Sequence, residues 1–346
     1  MTNNSAKLKL ADLNADNFSG FKEMVLQQAD HHFCDYVGSD EKFLAEITNP
    51  ESPAHVMLAW SEDKNDSVGY VLYNKMYTLK GSEIYIEDII TRDIYRGLGV
   101  GGYFFDQLKA LAREESHTAV SWVVARDNVH AIRFYEERQN AKPRHHVGYD
   151  CTDSLLKNVF NEHGQQTSKV MPLTENQIPD LMGCDSYKLS PNQASFLRSA
   201  IKQDHVHTSI SRDSNGKPLA ILVANANFSS FRTVYGYKIE VLELTDNKAQ
   251  AINAFKDLST DLSEEAVSID RDGHMVLFID PTSEAQQEFV EHIDGEPYKM
   301  SEHENSFLDL YAIDAAVIYA NTPEPKERVP SETVQFFIPQ VQPIYR

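Results

Sequence analysis

The sequence predicts an α/β (α+β) fold built from two similar units, each a mixed, mostly antiparallel sheet flanked by helices. Three observations predict it. Hydrophobic patterning switches repeatedly between the two-residue alternation of strands and the 3.6-residue repeat of helices. The order strand, two helices, three strands, helix, strand, helix, strand occurs twice. A length of 346 residues suits two domains better than one.

The first unit opens with the short alternating segment KLKLADLN. Helical patterns follow in FSGFKEMVLQQADHHF and DEKFLAEI, the second stopped by Asn49-Pro50. AHVMLAW, SVGYVLYNKM and GSEIYIEDIIT are β-rich runs separated by polar residues and read as an antiparallel meander. GYFFDQLKALAREES is a helix, AVSWVVA a buried strand, and Asp127-Asn128 introduces the helix VHAIRFYEER. RHHVGYDC is expected to be the final strand of this unit.

The second unit repeats the order with VMPLTEN, NQIPDLM, PNQASFLRSAIKQ, VHTSISRD and PLAILVANAN, the last two joined by the hairpin signal Ser214-Asn215-Gly216-Lys217. VYGYKIEVLELT, the long helix KAQAINAFKDLSTDL, HMVLFID and TSEAQQEFVEHI continue it, and YKMSEHENSFLDLYAI ends it. The order of elements therefore indicates an internal duplication. It divides the chain into residues 1–160, residues 168–320, and a tail over 321–346. That tail holds five prolines around the apolar VQFFI and is expected to pack on the body or on another subunit.

Composition narrows the functional classes. The net charge is −20, with 17 basic against 25 acidic residues up to position 165 and 15 against 27 beyond it. Two acidic halves disfavour nucleic acid and anionic membranes and favour small cationic partners. No apolar run reaches the roughly 18 residues of a membrane span, and the N-terminal segment has neither a signal-peptide core nor an arginine-rich amphipathic stretch. A cytoplasmic protein, monomeric or a homodimer, is expected. The cysteines Cys34, Cys151 and Cys184 are widely spaced, so neither a disulfide framework nor a CxxC metal site is expected.

The chemistry concentrates in EIYIEDIITRDIYRGLGVGGYFF, residues 83–105. A strand that runs through a glycine-rich turn into a helix N-terminus presents unpaired N–H groups and the positive end of a helix dipole. Such a turn suits a pyrophosphate. By itself GLGVGG fits a mobile loop or a close helix-sheet contact equally well. A Gly-Lys-Ser/Thr sequence is missing, and the antiparallel context differs from a dinucleotide-binding unit.

Arg96-Gly97-Leu98-Gly99-Val100-Gly101 resembles the Arg/Gln-x-x-Gly-x-Gly/Ala loop of the GNAT acetyltransferases, and Asn128-Val129-His130-Ala131 with Phe134-Tyr135 follows where that family has its second CoA motif. Within the family, YIEDIITRDIYRGLGVGG and VVARDNVHAIRFYEER look most like the diamine and spermidine/spermine acetyltransferases. The resemblance covers about residues 7–150, and the second unit matches only the order of elements. It implies a tandem GNAT fold with a degenerate second repeat, acetyl-CoA as co-substrate, and transfer of acetyl to a primary amine in a ternary complex. A polyamine or diamine is the implied acceptor. Alternatives are an amino acid, an aminoglycoside or a protein amine as acceptor, or a non-catalytic acyl-CoA sensor.

Carried over by position, Ile89, Ile90 and Thr91 would pair with the pantetheine arm. Arg96, Gly97, Leu98, Gly99, Val100, Gly101 and Gly102 would cradle the pyrophosphate, and Asn128 and Ala131 would lie alongside CoA. Glu87 would be the base and Tyr135 the general acid. A carboxylate suits the first role because an alkylamine is mostly protonated at neutral pH, and a phenol suits the second because it keeps its proton there. Asp88, adjacent to Glu87, is expected on the opposite face of the strand as a substrate or salt-bridge partner. His32 and Asp35, in His31-His32-x-Cys34-Asp35, are expected to border the acceptor rather than to bind metal. Where the family has a glycine to end the helix after Tyr135, Asn140 stands, and asparagine tolerates the left-handed conformation. The polyamine enzymes' other substrate carboxylates and tryptophan have no match here.

Overall fold

The computed structural model describes residues 7–31, 36, 38–62, 65–144, 147–150, 167–183, 189–228, 230, 235–268, 275–292, 296–297, 308–314 and 334–335. The first half contains β1 (Lys7–Ala11), α1 (Phe18–His31), α2 (Asp40–Thr48), β2 (Ala54–Ser61), β3 (Asp66–Thr78), β4 (Gly81–Thr91), α3 (Val100–Glu114), β5 (Ala119–Ala125), α4 (Val129–Gln139), β6 (Lys142–Pro143) and β7 (Val147–Asp150). The second contains β8 (Lys169–Pro172), α5 (Ile178–Met182), α6 (Pro191–Ala200), β9 (Val206–Arg212), β10 (Pro218–Phe228), β11 (Tyr235–Glu243), α7 (Lys248–Ser268), β12 (Met275–Ile279) and α8 (Glu284–His292). β13 (Glu296–Pro297), β14 (Leu308–Asp314) and β15 (Val334–Gln335) follow.

Local sequence explains the helix ends. Ser39 accepts from the Lys42 N–H to start α2, and Ser190 with Gln193 forms a capping box at α6. Asn140 ends α4 at φ 55° and ψ 34°, in the left-handed conformation the sequence suggested. On α3, Val100, Phe104, Phe105, Leu108 and Ala112 form one buried stripe. They pack against Ile84, Ile86, Val120 and Trp122 of the sheet, and each large apolar side chain there contributes about 1.5–3 kcal/mol by leaving water.

Two sheets result. The first has the order β15-β1-β2-β3-β4-β5-β14-β6, and the second β13-β7-β12-β11-β10-β9-β8. Each is antiparallel except for one parallel pair, β4 with β5 and β11 with β12. One strand is exchanged in each direction. β7, expected to close the first sheet, pairs with β12 in the second, while β14 runs antiparallel to β5 in the first from Leu308↔Ala125 to Asp314↔Ala119. β5 is buried almost throughout, so its outer edge requires a partner, and the late segment LDLYAID supplies one. From the tail, Val334 and Gln335 pair with Leu8 and Lys7.

The sheets meet along β3–β4 and β10–β11. An apolar cluster of Met76, Tyr85, Val276 and Phe278 lies in this seam, and Phe228 of β10 packs into the α1–α2 core beside Phe43 and Tyr70. Among the described residues no helix is long and apolar enough to cross a membrane.

Candidate active site

β4 and β5 pair only from Glu83↔Ala119 to Ile86↔Trp122. Beyond Ile86 the two parallel strands have no ladder, so the β5-facing backbone of Ile89, Ile90 and Thr91 borders a cleft. On the other side of β4 the register against β3 shifts, with Leu72 opposite Asp88 but Tyr73 opposite Ile86, which leaves Glu87 as the extra residue of a β-bulge. A bulge bends its strand and raises the local twist, and this one falls where the pairing of β4 with β5 stops.

The cleft leads to the glycine turn. A short 3-10 turn over Asp93–Tyr95 is followed by Arg96, whose Nε donates to the Thr91 carbonyl at 3.2 Å. Gly97 has φ 76° and Gly99 φ 87°, conformations that cost a side-chain-bearing residue about 1–2 kcal/mol. A Cβ at Gly97 would meet nothing within 4 Å, so open space lies against the backbone there. Gly99 is the N-cap of α3 and carries no side chain to cap it. The first N–H groups of α3 therefore keep their capacity for an anion such as a phosphate.

On the far wall, Asn128 caps α4 by accepting from the Ala131 N–H at 3.2 Å. Tyr135 lies on the inner face of α4, 8% exposed, with its ring edge-on to Trp122 at 4.8 Å and Phe105 at 5.6 Å. Burial pushes its hydroxyl up to about 12. A phenol in that state donates a proton and does not serve as a base near neutrality.

The carboxylates of Glu87 and Asp88 depart from the expected alternation. Both contact the second half instead of opposite faces, because the bulge inserts one residue out of phase. Glu87 Oε2 accepts from Asn227 Nδ2 at 2.9 Å and lies 3.9 Å from Lys238 Nζ. Asp88 accepts from the Ser230 hydroxyl and sits beside Tyr70. Burial, and next the charge of Glu87, push Asp88 up to about 7, while Ser230 and Lys238 act in the opposite direction. His32 and Asp35 fall outside the described residues. Among those described, no group of three or more His, Cys, Asp or Glu is arranged to hold a metal.

Residues 18–140 match the acetyltransferase (GNAT) family. This segment, about a third of the chain, carries the likeness to that family. Over 89% of the chain the fold is similar to a tandem GNAT protein from the clavulanic acid biosynthesis pathway, solved without acetyl-CoA, with a TM-score of 0.52 at 9% identity and 98% of that chain covered. It is also similar to a GCN5-related N-acetyltransferase from Sphaerobacter thermophilus, with a TM-score of 0.51 at 8% identity over 89% and 96% of the two chains. At these identities the likeness is one of fold.

The second half contains a counterpart of the GNAT cleft with different chemistry. β11 and β12 pair from Tyr237↔Met275 to Glu240↔Phe278 and then separate around a cavity of about 620 Å³. Its walls include Glu240, Glu243, Asp246, Asp280 and Glu284 against Lys80 and Lys248, a lining acidic on balance that disfavours phosphate. Asn247 precedes α7 and accepts from the Gln250 N–H at 3.1 Å, so a side chain occupies the helix start that glycine leaves open in α3.

Sequence reasoning missed Asn74, Asn227, Ser230 and Lys238. A signal was present for Asn227: the run PLAILVANANF places two asparagines among apolar residues, and buried amides require partners. Lys238 resembles any solvent-facing lysine of a strand yet is 2% exposed.

Proposed function

We propose that the protein transfers acetyl from acetyl-CoA to the primary amine of a small cationic acceptor, with polyamines and diamines as the first candidates. The observation that supports this reading is the bulge at Glu87, which coincides with the end of the β4–β5 pairing and sets two carboxylates beside the unpaired end of β4.

In this reading the N–H groups at the start of α3, with Gly97 and Gly99 allowing close approach, hold the pyrophosphate, and the edge of Ile89–Thr91 that lacks a β5 partner, its Thr91 carbonyl already accepting from Arg96, holds the pantetheine arm. Acetyl-CoA supplies an activated thioester. Glu87 accepts the proton of the alkylammonium, directly or through water, which frees the nitrogen lone pair. Tyr135 donates a proton toward the departing sulfur. Strand N–H groups polarise the thioester carbonyl. The carboxylates of Glu87 and Asp88 favour a cation in the acceptor position.

One acetyl-CoA per chain is part of the proposal, since the second cleft is acidic and its helix start is capped. The test is a screen for amine-dependent release of CoA thiol across polyamines, diamines, amino acids and aminoglycosides, combined with calorimetry of acetyl-CoA binding. Rapid turnover with spermidine, falling as salt rises, and one site per chain support the proposal. Binding without turnover on any amine marks a sensor. Two equivalent sites would contradict the single-cleft reading.

A further inference from the structure

The carboxylates at the bulge are held by the other half of the chain. A directed relay begins at the Phe228 backbone N–H, which can only donate, and which reaches Asn74 Oδ1 at 3.2 Å. This fixes the Asn74 amide so that its Nδ2 donates to Asn227 Oδ1 at 3.2 Å. Asn227 is thereby oriented with Nδ2 toward Glu87 Oε2, at 2.9 Å. Neither amide can flip without opposing two donors or two acceptors.

Lys238 approaches the same oxygen from β11. Its Nζ lies 3.9 Å from Glu87 Oε2 and 5.0 Å from the centre of the Tyr85 ring. A lysine that is 2% exposed requires nearby negative charge, and Glu87 and Asp88 supply it. Ser230 completes the set by donating to Asp88. Three residues of the second half thus converge on two adjacent side chains of the first half.

We propose that Asn227, Ser230 and Lys238 are positioning residues for Glu87 and Asp88, so that the second half is a working part of the acetyl-transfer centre. The inference rests on the reading of Glu87 as the base. Asn227 fixes the plane of the Glu87 carboxylate, and Lys238 balances the two adjacent negative charges. The groups facing Asp88 are Glu87 on its own strand, Tyr70 from β3, Ser230 after β10 and Lys238 from β11. Of the last two, which favour its ionised form, only Lys238 carries a charge.

The experiment compares full-length Lys238→Met, Lys238→Arg, Asn227→Ala and Glu87→Gln. It measures acetyl-CoA affinity by calorimetry and amine-dependent CoA release from pH 5.5 to 9. Lys238→Met is expected to bind acetyl-CoA within about twofold of wild type, to lose about 10- to 100-fold in kcat, the scale of a misplaced catalytic group, and to move the acid limb to higher pH. Lys238→Arg is expected to restore the limb. Asn227→Ala is expected to lower kcat with little change in limb position, and it keeps the test available if Lys238→Met does not fold. Wild-type kcat and pH profile in both Lys238→Met and Asn227→Ala, with Glu87→Gln impaired, would overturn the positioning role alone. A silent Glu87→Gln would overturn the base assignment and the positioning role with it.

Discussion

Asn225 of β10 bonds the backbone of Tyr77 in β3 twice, accepting from its N–H at 2.6 Å and donating to its carbonyl at 2.8 Å. A side-chain amide thus does across the seam what a neighbouring strand does within a sheet. One residue pair further, the Leu79 N–H donates to Glu240 at 3.1 Å. The two halves are joined by backbone-directed bonds as well as by the exchange of β7 and β14.

Asn225→Ala should therefore destabilise the whole chain and not one half. It leaves a backbone donor and acceptor of Tyr77 without their partner, at about 1–3 kcal/mol per unsatisfied group. Urea unfolding followed by tryptophan fluorescence and by far-UV dichroism should show one coincident transition at lower midpoint. Separate transitions for the two signals would show that the seam does not couple the halves.

The glycine turn gives a second prediction. Gly99→Val places a β-branched side chain at φ 87°, a conformation that strains such residues most, and it puts bulk at the entrance to α3. Acetyl-CoA affinity should fall by about tenfold or more, with a loss of about 1–2 kcal/mol in stability. Gly97→Asn, where a Cβ meets nothing within 4 Å and asparagine tolerates positive φ, should remain close to wild type in stability. Calorimetry and thermal melts check both.

This turn was legible from sequence because the requirement is local: positive φ selects glycine at 97 and 99, and asparagine at 140. The bulge was not. Alternation places Glu87 and Asp88 on opposite faces, and nothing in YIEDII marks where β4 takes an extra residue against β3. The strand exchange was hidden for a related reason. Patterning identifies VGYD and LDLYAID as strands, but it carries no information about partners more than a hundred residues away, so each reads from sequence as part of its nearer sheet. Lys238 was hidden because its charge, read alone, implies solvent; its burial depends on carboxylates from the other half.

Asp88 predicts a pH dependence of stability. Its ordinary value is 3.8 and the fold raises it to about 7. Between these values the folded chain keeps a proton that the unfolded chain has lost. The contribution is fully present below 3.8 and is lost as pH rises through about 7. Wild type should lose stability over this window with a slope of up to about 1.4 kcal/mol per pH unit from this group. Asp88→Asn should flatten the slope. Urea midpoints measured from pH 5 to 8 for both proteins test this, and identical slopes would refute it.

Tyr135 allows its packing to be separated from its chemistry. Tyr135→Phe keeps the edge-on contacts with Trp122 and Phe105, so the α4 wall and acetyl-CoA affinity should be unchanged. Only the proton is removed, and kcat should fall by about 100-fold, within the range of general-acid contributions. Because burial holds the hydroxyl near 12, wild type keeps this proton throughout pH 6 to 9, and the ratio of wild-type to Tyr135→Phe rates should be constant over that range. A ratio that changes with pH would mean that another titrating group governs the step. A ratio of one at every pH would make Tyr135 a packing residue, its ring closing the core between α3 and β5.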